Sequence, residues 1–185
     1  MGAGRELDED LVAAAQRGDQ GALESLYDAY AARVLGYVRG LGVPDPEDTV
    51  SEVFVSVVRG LAKFRGDEAD FPAWLFTIAH RRAVDAHRQR SHRREDAMDP
   101  TTLPELEPTL DVLDEVNSRL SPSAATEALA RLTADQREVI LLRVVAGLSV
   151  AEAAEVLGKK PGAIKTLQLR ALASLRRLLI LAAVS

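Results

Sequence analysis

Cysteine is missing from this sequence and aromatic residues are scarce, with four phenylalanines, three tyrosines and one tryptophan among 185 residues. Without cysteine there is no disulfide, no thiolate metal site and no cysteine nucleophile, a composition that fits a reducing cytoplasm. With apolar residues at 47% and aromatics at 4%, the core is aliphatic and expected to be helical. Long hydrophobic runs are missing too. The longest uncharged apolar run, Leu178 to Val184, is far short of the ~20 residues that cross a bilayer. The first ten residues, MGAGRELDED, are acidic and carry no apolar stretch, so no signal peptide is expected. Glu6 stands where N-myristoylation requires Ser or Thr. Secreted, membrane-inserted and disulfide-stapled readings are excluded. P-loop, Rossmann glycine, HExxH and GxSxG patterns are all missing, so no catalytic residue, cofactor or metal is assigned and an enzyme is not expected.

What is present is a blockwise charge pattern hidden inside a net charge of -5. Residues 1–75 carry 14 acids against 7 bases, whereas residues 76–94 carry Arg81, Arg82, Arg88, Arg90, Arg93 and Arg94 against Asp85 alone. Residues 95–130 hold 9 acids and only Arg119, and residues 131–185 hold 9 bases against 4 acids. Two basic islands separated by acid point to two local nucleic-acid contacts on a chain whose overall charge discourages indiscriminate binding.

The periodicity is helical throughout, with no sustained strand-like alternation. Asp8 to Gln16 reads as a short helix ended by Gly18. Gly21 to Arg39 places Leu23, Leu26, Tyr27, Tyr30, Val34 and Val38 at three- and four-residue steps and stops at Gly40 and Gly42. The PDPED stretch from Pro44 opens a third helix with acids in its first turn, running to about Phe64 with Val50, Val53, Phe54, Val57 and Leu61 inward. After a polar loop, Arg65 to Asp70, a fourth helix spans about Pro72 to Arg90. Prolines and acids then replace periodicity, apart from a short apolar run around Val112 to Val116, and such a stretch reads as a linker. The expected architecture is all-α: a four-helix N-terminal domain (residues 1–94), a flexible acidic linker (95–122) and a C-terminal helix-turn-helix domain (123–185).

The sharpest local signal is LSVAEAAEVLGKKPGAIKTLQLRALASLRRLL. Ser149 and Glu152 have capping-box spacing, Gly158 suits a left-handed turn, and Pro161 starts a longer helix. Ile164, Leu167, Ala171, Leu175 and Leu178 form one stripe of that helix, and Lys165, Thr166, Leu169, Arg170, Ala173 and Arg176 the opposite face. A cationic, hydroxyl-bearing face at the start of a second helix suits insertion into a DNA major groove. Lys165 reads guanine acceptors or grips phosphate, Thr166 bonds a base edge, and Leu169 suits a thymine methyl. Lys160 and Arg170 are phosphate anchors, and Ala163 lies on the same DNA-facing turn.

The fourth helix places Leu75, Ala79, Ala83 and Ala86 on a core face and Trp74, Thr77, Arg81 and Arg88 on the other. An aromatic surface beside cations is what unstacked bases require, and the loop holding Arg65 and Gly66 is placed to receive a flipped base. His80, His87 and His92 all fall in this basic segment. The first two lie two turns and ~10 Å apart, too far to chelate one metal, so the histidines read as basic surface.

These residues resemble a known family, the extracytoplasmic-function (ECF) group of bacterial RNA polymerase sigma factors. EDTVSEVFVSVVRGLAKF followed by FPAWLFTIAHRRAVDAHRQR is similar to region 2, and LTADQREVILLRVVAGLSVAEAAEVLG to region 4. The order and spacing of the two motifs cover most of the chain. The resemblance implies that region 2 docks on the clamp coiled coil of the largest polymerase subunit through Glu47, Asp48, Glu52, Val53 and Phe54. It also implies capture and melting of the minus-ten element by the Arg65–Phe71 loop and the helix carrying Trp74, Thr77, Arg81 and Arg88. Region 4 would bind the polymerase flap and read the minus-thirty-five element through Lys160, Ala163, Lys165, Thr166, Leu169 and Arg170. The implied partners are core RNA polymerase, promoter DNA and an inhibitory anti-sigma factor. The family often has Asn where Arg81 stands and Gln where Ser51 stands, and its Gly-Thr-Val-Lys/Arg-Ser-Arg run reads Gly162-Ala163-Ile164-Lys165-Thr166-Leu167. The competing reading is an autonomous helix-turn-helix repressor, which would dimerise and bind its operator without polymerase.

Overall fold

A computed structural model describes the backbone of residues 11–94 and 127–183, with side chains over 11–88 and 127–177. Among these residues the chain is helical, and it divides into two compact units, residues 1–91 and 92–185. The expected linker at 95–122 and its apolar run at Val112 to Val116 lie outside the described residues. So do Asp8 and the side chains of Arg90, His92, Arg93, Arg94 and Leu178.

The first unit is built from α1 (Leu11–Gln16), α2 (Gln20–Gly40), α3 (Pro46–Leu61) and α4 (Phe71–Arg94). Asp19 caps α2 by accepting from the Ala22 amide at 2.8 Å. Pro46 occupies the first turn of α3, and Glu47 and Asp48 follow it at the positive end of the helix. Leu26, Tyr30, Val34, Tyr37 and Val38 of α2 are buried, as are Val50, Val53, Val57 and Leu61 of α3 and Phe71, Leu75, Phe76, Ala79 and Ala83 of α4. Short α1 buries Val12 and Ala15, and its Gln16 Nε2 donates to the carbonyls of Leu61 (3.1 Å) and Phe64 (3.0 Å) at the end of α3. Leu23, Tyr27, Phe54 and Ala86, all expected inward, are not fully buried. Tyr27 is 47% exposed and Phe54 half-buried, and their rings pack on each other at 4.7 Å on the outer side of α2 and α3.

In the second unit a helical turn over residues 127–130 precedes α5 (Ala134–Ile140), which runs into a π-helical turn at Leu141–Val145; α6 (Val150–Leu157) and α7 (Pro161–Ala183) follow. Both short helices begin with a complete capping box, Thr133 with Gln136 and Ser149 with Glu152. Gly158 ends α6 at φ 61°, the left-handed conformation that a β-carbon disfavours. Arg137 donates to the carbonyls of Leu129 (2.8 Å), Ala130 (3.1 Å) and Leu132 (3.3 Å), fastening the 127–132 turn to α5. The core joins Ala128, Leu132 and Ile140 to Ala171, Leu172 and Leu175 of α7. The buried stripe of α7 is therefore Ile164, Gln168, Ala171, Leu172 and Leu175. Leu167 is only half-buried, and Ala173, expected on the exposed face, is buried.

Candidate promoter and polymerase surfaces

Around the N-terminus of α4 the aromatic residues cluster. Trp74 packs at 4.9 Å on Phe64 and at 5.8 Å on Phe71, and Phe71 in turn meets Tyr30 at 5.4 Å and Phe64 at 6.1 Å, centroid to centroid. The indole also closes on Gly60 of α3, where a β-carbon would come within 3.1 Å of it. Trp74 is thus half-buried and held on three sides, leaving one part of the ring toward solvent. Phe71 is different. At 1% exposure it is a core residue, so its place among DNA-contacting residues is corrected: no surface of it is left for a base to touch.

Between α3 and α4 the polar loop is folded on itself. Asp67 Oδ1 accepts from the amides of Ala69 (2.8 Å) and Asp70 (3.2 Å), and Asp70 Oδ2 accepts from the amide of Asp67 (3.2 Å). Arg65 is exposed, and its Nη1 donates to the Phe64 carbonyl at 3.0 Å and the Ala62 carbonyl at 3.2 Å, at the negative end of α3. Gly66 is exposed beside it. Further along α4, Arg81 and Arg88 are exposed, whereas Thr77 is half-buried and donates to the Ala73 carbonyl at 2.8 Å.

Of the histidines expected on the basic surface, His80 departs from it, His87 is exposed, and the side chain of His92 lies outside the described residues. His80 is half-buried with Nδ1 at 3.0 Å from the Tyr37 hydroxyl, and burial pushes its imidazole below the ordinary histidine range, which favours the neutral ring. His87 is exposed, its Nε2 hydrogen-bonded to the Leu41 carbonyl at 3.1 Å. Among the described residues no group of three His, Asp or Glu side chains is placed to hold a metal ion, and no helix is long and apolar enough to cross a membrane.

The outer side of α3 carries exposed Glu47, Asp48 and Glu52. Arg39 of α2 pairs with Glu47 and holds its carboxyl below the usual carboxylate range. Arg82 of α4 reaches Glu52 at 3.7 Å and donates to Ser56 Oγ at 2.8 Å. Val53 is 0% exposed and points into the core, so its assignment to a docking surface is corrected: it supports α3 from within. Exposed Val55 and Val58 extend the apolar part of the outer surface begun by Tyr27 and Phe54.

In the second unit the turn between α6 and α7 presents Lys160, while Lys159 is held by Asp135 at 3.2 Å. The first turns of α7 expose Ala163, Lys165 and Thr166; the Thr166 hydroxyl donates to the Gly162 carbonyl at 3.0 Å and keeps its lone pairs available. Leu169 and Arg170 are half-buried. One end of α7 is therefore cationic and open while its inner side fills the core.

Residues 26–93 match the family described as Sigma-70 region 2, and residues 123–175 that described as Sigma-70, region 4. The chain is 34% identical over 181 residues to the ECF RNA polymerase sigma factor SigD of Mycobacterium tuberculosis, covering 94% of this chain and 84% of SigD. The chain belongs to the ECF sigma factors. It is 41% identical over 179 residues to the ECF sigma factor BldN of Streptomyces coelicolor, spanning 92% of this chain but only 65% of BldN. Among solved structures it is similar to CnrH in complex with the cytosolic domain of CnrY, with a TM-score of 0.66, 29% identity and coverage of 93% of this chain and 96% of that chain. The fold is also that of the sigma factor RpoE, solved with the anti-sigma factor NepR from Bartonella quintana, with a TM-score of 0.68 and 24% identity over 84% of this chain and 95% of that chain.

Within this sigma factor, sequence reasoning overlooked the residues that hold the surfaces in place. Arg82 bridges α3 and α4, Arg33 lies over the Tyr30 and Phe76 rings at 5.2 and 5.9 Å, and Arg143 joins Gln168. Arg143 had a visible signal, being the one charge in the run VILLRVVAGL. Arg33 and Arg82 had none.

Proposed function

We propose that this chain is a promoter-specificity subunit that binds core RNA polymerase and directs initiation through minus-ten and minus-thirty-five elements. Region 2 docks by the outer side of α3, with Glu47, Asp48, Glu52 and Phe54, on the clamp coiled coil of the largest subunit. The Arg65–Gly66 loop with Trp74, Thr77, Arg81 and Arg88 captures the minus-ten element. Region 4 meets the flap and reads the minus-thirty-five element through Lys160, Ala163, Lys165, Thr166, Leu169 and Arg170. The single observation that carries this reading is the presence of both regions, in order, on one chain; a repressor acting without polymerase has no use for region 2. The chain works by binding rather than turnover, and in the cytoplasm, where polymerase is. CnrH was solved with the cytosolic domain of CnrY and RpoE with the anti-sigma factor NepR, and a cognate anti-sigma factor is proposed here too. The test is transcription from a genomic fragment library with core polymerase and this protein, separately and together. Specific transcripts confined to the combination support the reading. Operator binding without polymerase, and no initiation with it, would return the repressor.

A further inference from the structure

Arg143 sits in the π-helical turn, and its guanidinium is divided between two partners. Nε donates to Gln168 Oε1 at 3.1 Å, and Nη1 donates to the Leu148 carbonyl. Gln168 is 7% exposed on the inner side of α7, in a stripe otherwise made of Ile164, Ala171 and Leu172. Leu148 immediately precedes Ser149, the N-cap of α6. One planar fork therefore ties the scaffold helix, the entry to α6 and the inner side of α7, three residues beyond Lys165. A guanidinium fixes two directions at once, which a lysine ammonium does not. The π turn, closed by the Ala146 amide on the Leu141 carbonyl at 2.9 Å, is a local departure from α geometry of the kind that recurs at functional positions. A buried apolar residue at 168 would complete the stripe; the amide found there instead gives the packing a direction.

We propose that Arg143 is a positioning residue for minus-thirty-five reading: through Gln168 and the Leu148 carbonyl it sets the angle at which α7 presents Lys165 and Thr166 to the DNA. This rests on the reading of α7 as the recognition helix. Hydrogen bonds to base edges span about half an ångström of useful distance, so a small rotation of α7 costs discrimination before it costs folding.

The experiment uses holoenzyme assembled from the full chain and core polymerase, on a promoter that the wild type initiates from, with its minus-thirty-five segment randomised. Wild type, Arg143→Lys, Gln168→Leu, Lys165→Ala and the core control Ile140→Val are compared by sequence enrichment among transcribed templates and by melting temperature. Arg143→Lys and Gln168→Leu are expected to lower enrichment of preferred over other sequences about tenfold, roughly one base contact. Ile140→Val is expected to lower the melting temperature and keep wild-type enrichment. If Arg143→Lys fails to assemble, Gln168→Leu decides by the same readout. Wild-type enrichment in both variants, with loss in Lys165→Ala, leaves the recognition helix standing and overturns the proposal. Equal loss in Ile140→Val overturns it as general loosening. No enrichment by wild type removes the reading of α7 and the proposal together.

Discussion

Two glycines show how differently one residue type is required. At Gly66 an added β-carbon would lie 2.8 Å from Asp70 Oδ2, 2.9 Å from Asp70 Cβ and 2.9 Å from Phe64 Cζ. Since Asp70 accepts from the Asp67 amide and Phe64 belongs to the aromatic cluster, neither yields freely. Gly66→Ala is expected to destabilise the first unit by about 1–3 kcal/mol, read as a lower denaturant midpoint. At Gly158 an added β-carbon would meet nothing within 4 Å beyond its own helix and chain neighbours, and only the φ of 61° matters; Gly158→Asn is expected to be nearly neutral, and Gly158→Ala to cost about 1 kcal/mol. His80 supplies a prediction of another kind. Burial lowers its folded pKa below the ordinary 6.5, so the unfolded chain takes up a proton first. Stability is then fully present above about pH 6.5 and is lost as pH falls from there toward the folded pKa. Urea midpoints across this range, wild type against His80→Gln, are expected to show a steeper acid-side fall in the wild type; parallel curves would reject a titrating His80.

At the scale of elements, the capping boxes are the cleanest case of local cause. Ser149 accepts from the Glu152 amide at 3.1 Å while the Glu152 carboxylate accepts from the Ser149 amide. Ser149→Ala is expected to cost about 0.5–2 kcal/mol, and thermal unfolding of the full chain checks it. This signature was legible in the sequence because both partners lie within four residues, as were Gly158, Pro161 and the four N-terminal helices. Features decided by partners far along the chain were not legible. Hydropathy placed Leu167 inside and left out Gln168, because nothing local reveals that Arg143, 25 residues earlier, satisfies the buried amide. The π turn is equally invisible: Leu141, Leu142, Ala146 and Leu148 are all buried, but they also share one side of an α-helical wheel, so their pattern does not tell a π turn from a continued α-helix. Tyr27 and Phe54 fit an inward stripe by spacing, yet they pack on each other outside it. On α7 the helical wheel read Lys165 and Thr166 as outward, and they are exposed, whereas Leu169 and Arg170, placed on the same face, are half-buried. Phe71 and Val53 were misplaced because motif membership says nothing about which way a side chain faces.

For the molecule as a whole, the opposed charges of its segments argue that its two tasks separate. The acidic surface of α3 is a poor match for DNA, since Asp48 repels phosphate and the arginines nearby, Arg39 and Arg82, are already engaged by Glu47 and Glu52. The cationic start of α7 has the reverse preference. Asp48 and Lys165 are both exposed; Lys165→Ala is expected to leave stability within about 0.5 kcal/mol and Asp48→Arg to cost about 1 kcal/mol at the positive end of α3, too little to unfold the first unit and confound binding. Asp48→Arg is expected to weaken assembly with core polymerase about tenfold, with region 4 contacts to DNA unchanged. Lys165→Ala is expected to leave assembly unchanged, to weaken promoter binding by the assembled holoenzyme by about 1–3 kcal/mol, and to reduce the salt slope of that binding if the ammonium also grips a phosphate. Titration of labelled core polymerase measures the first quantity, and promoter binding by saturated holoenzyme across a salt series measures the second. The decisive comparison is the crossed one. If Asp48→Arg impaired promoter binding even when holoenzyme is saturated, or if Lys165→Ala impaired assembly, the segregation of charge along the chain would not correspond to a segregation of partners, and the acidic first block would need a cause other than docking.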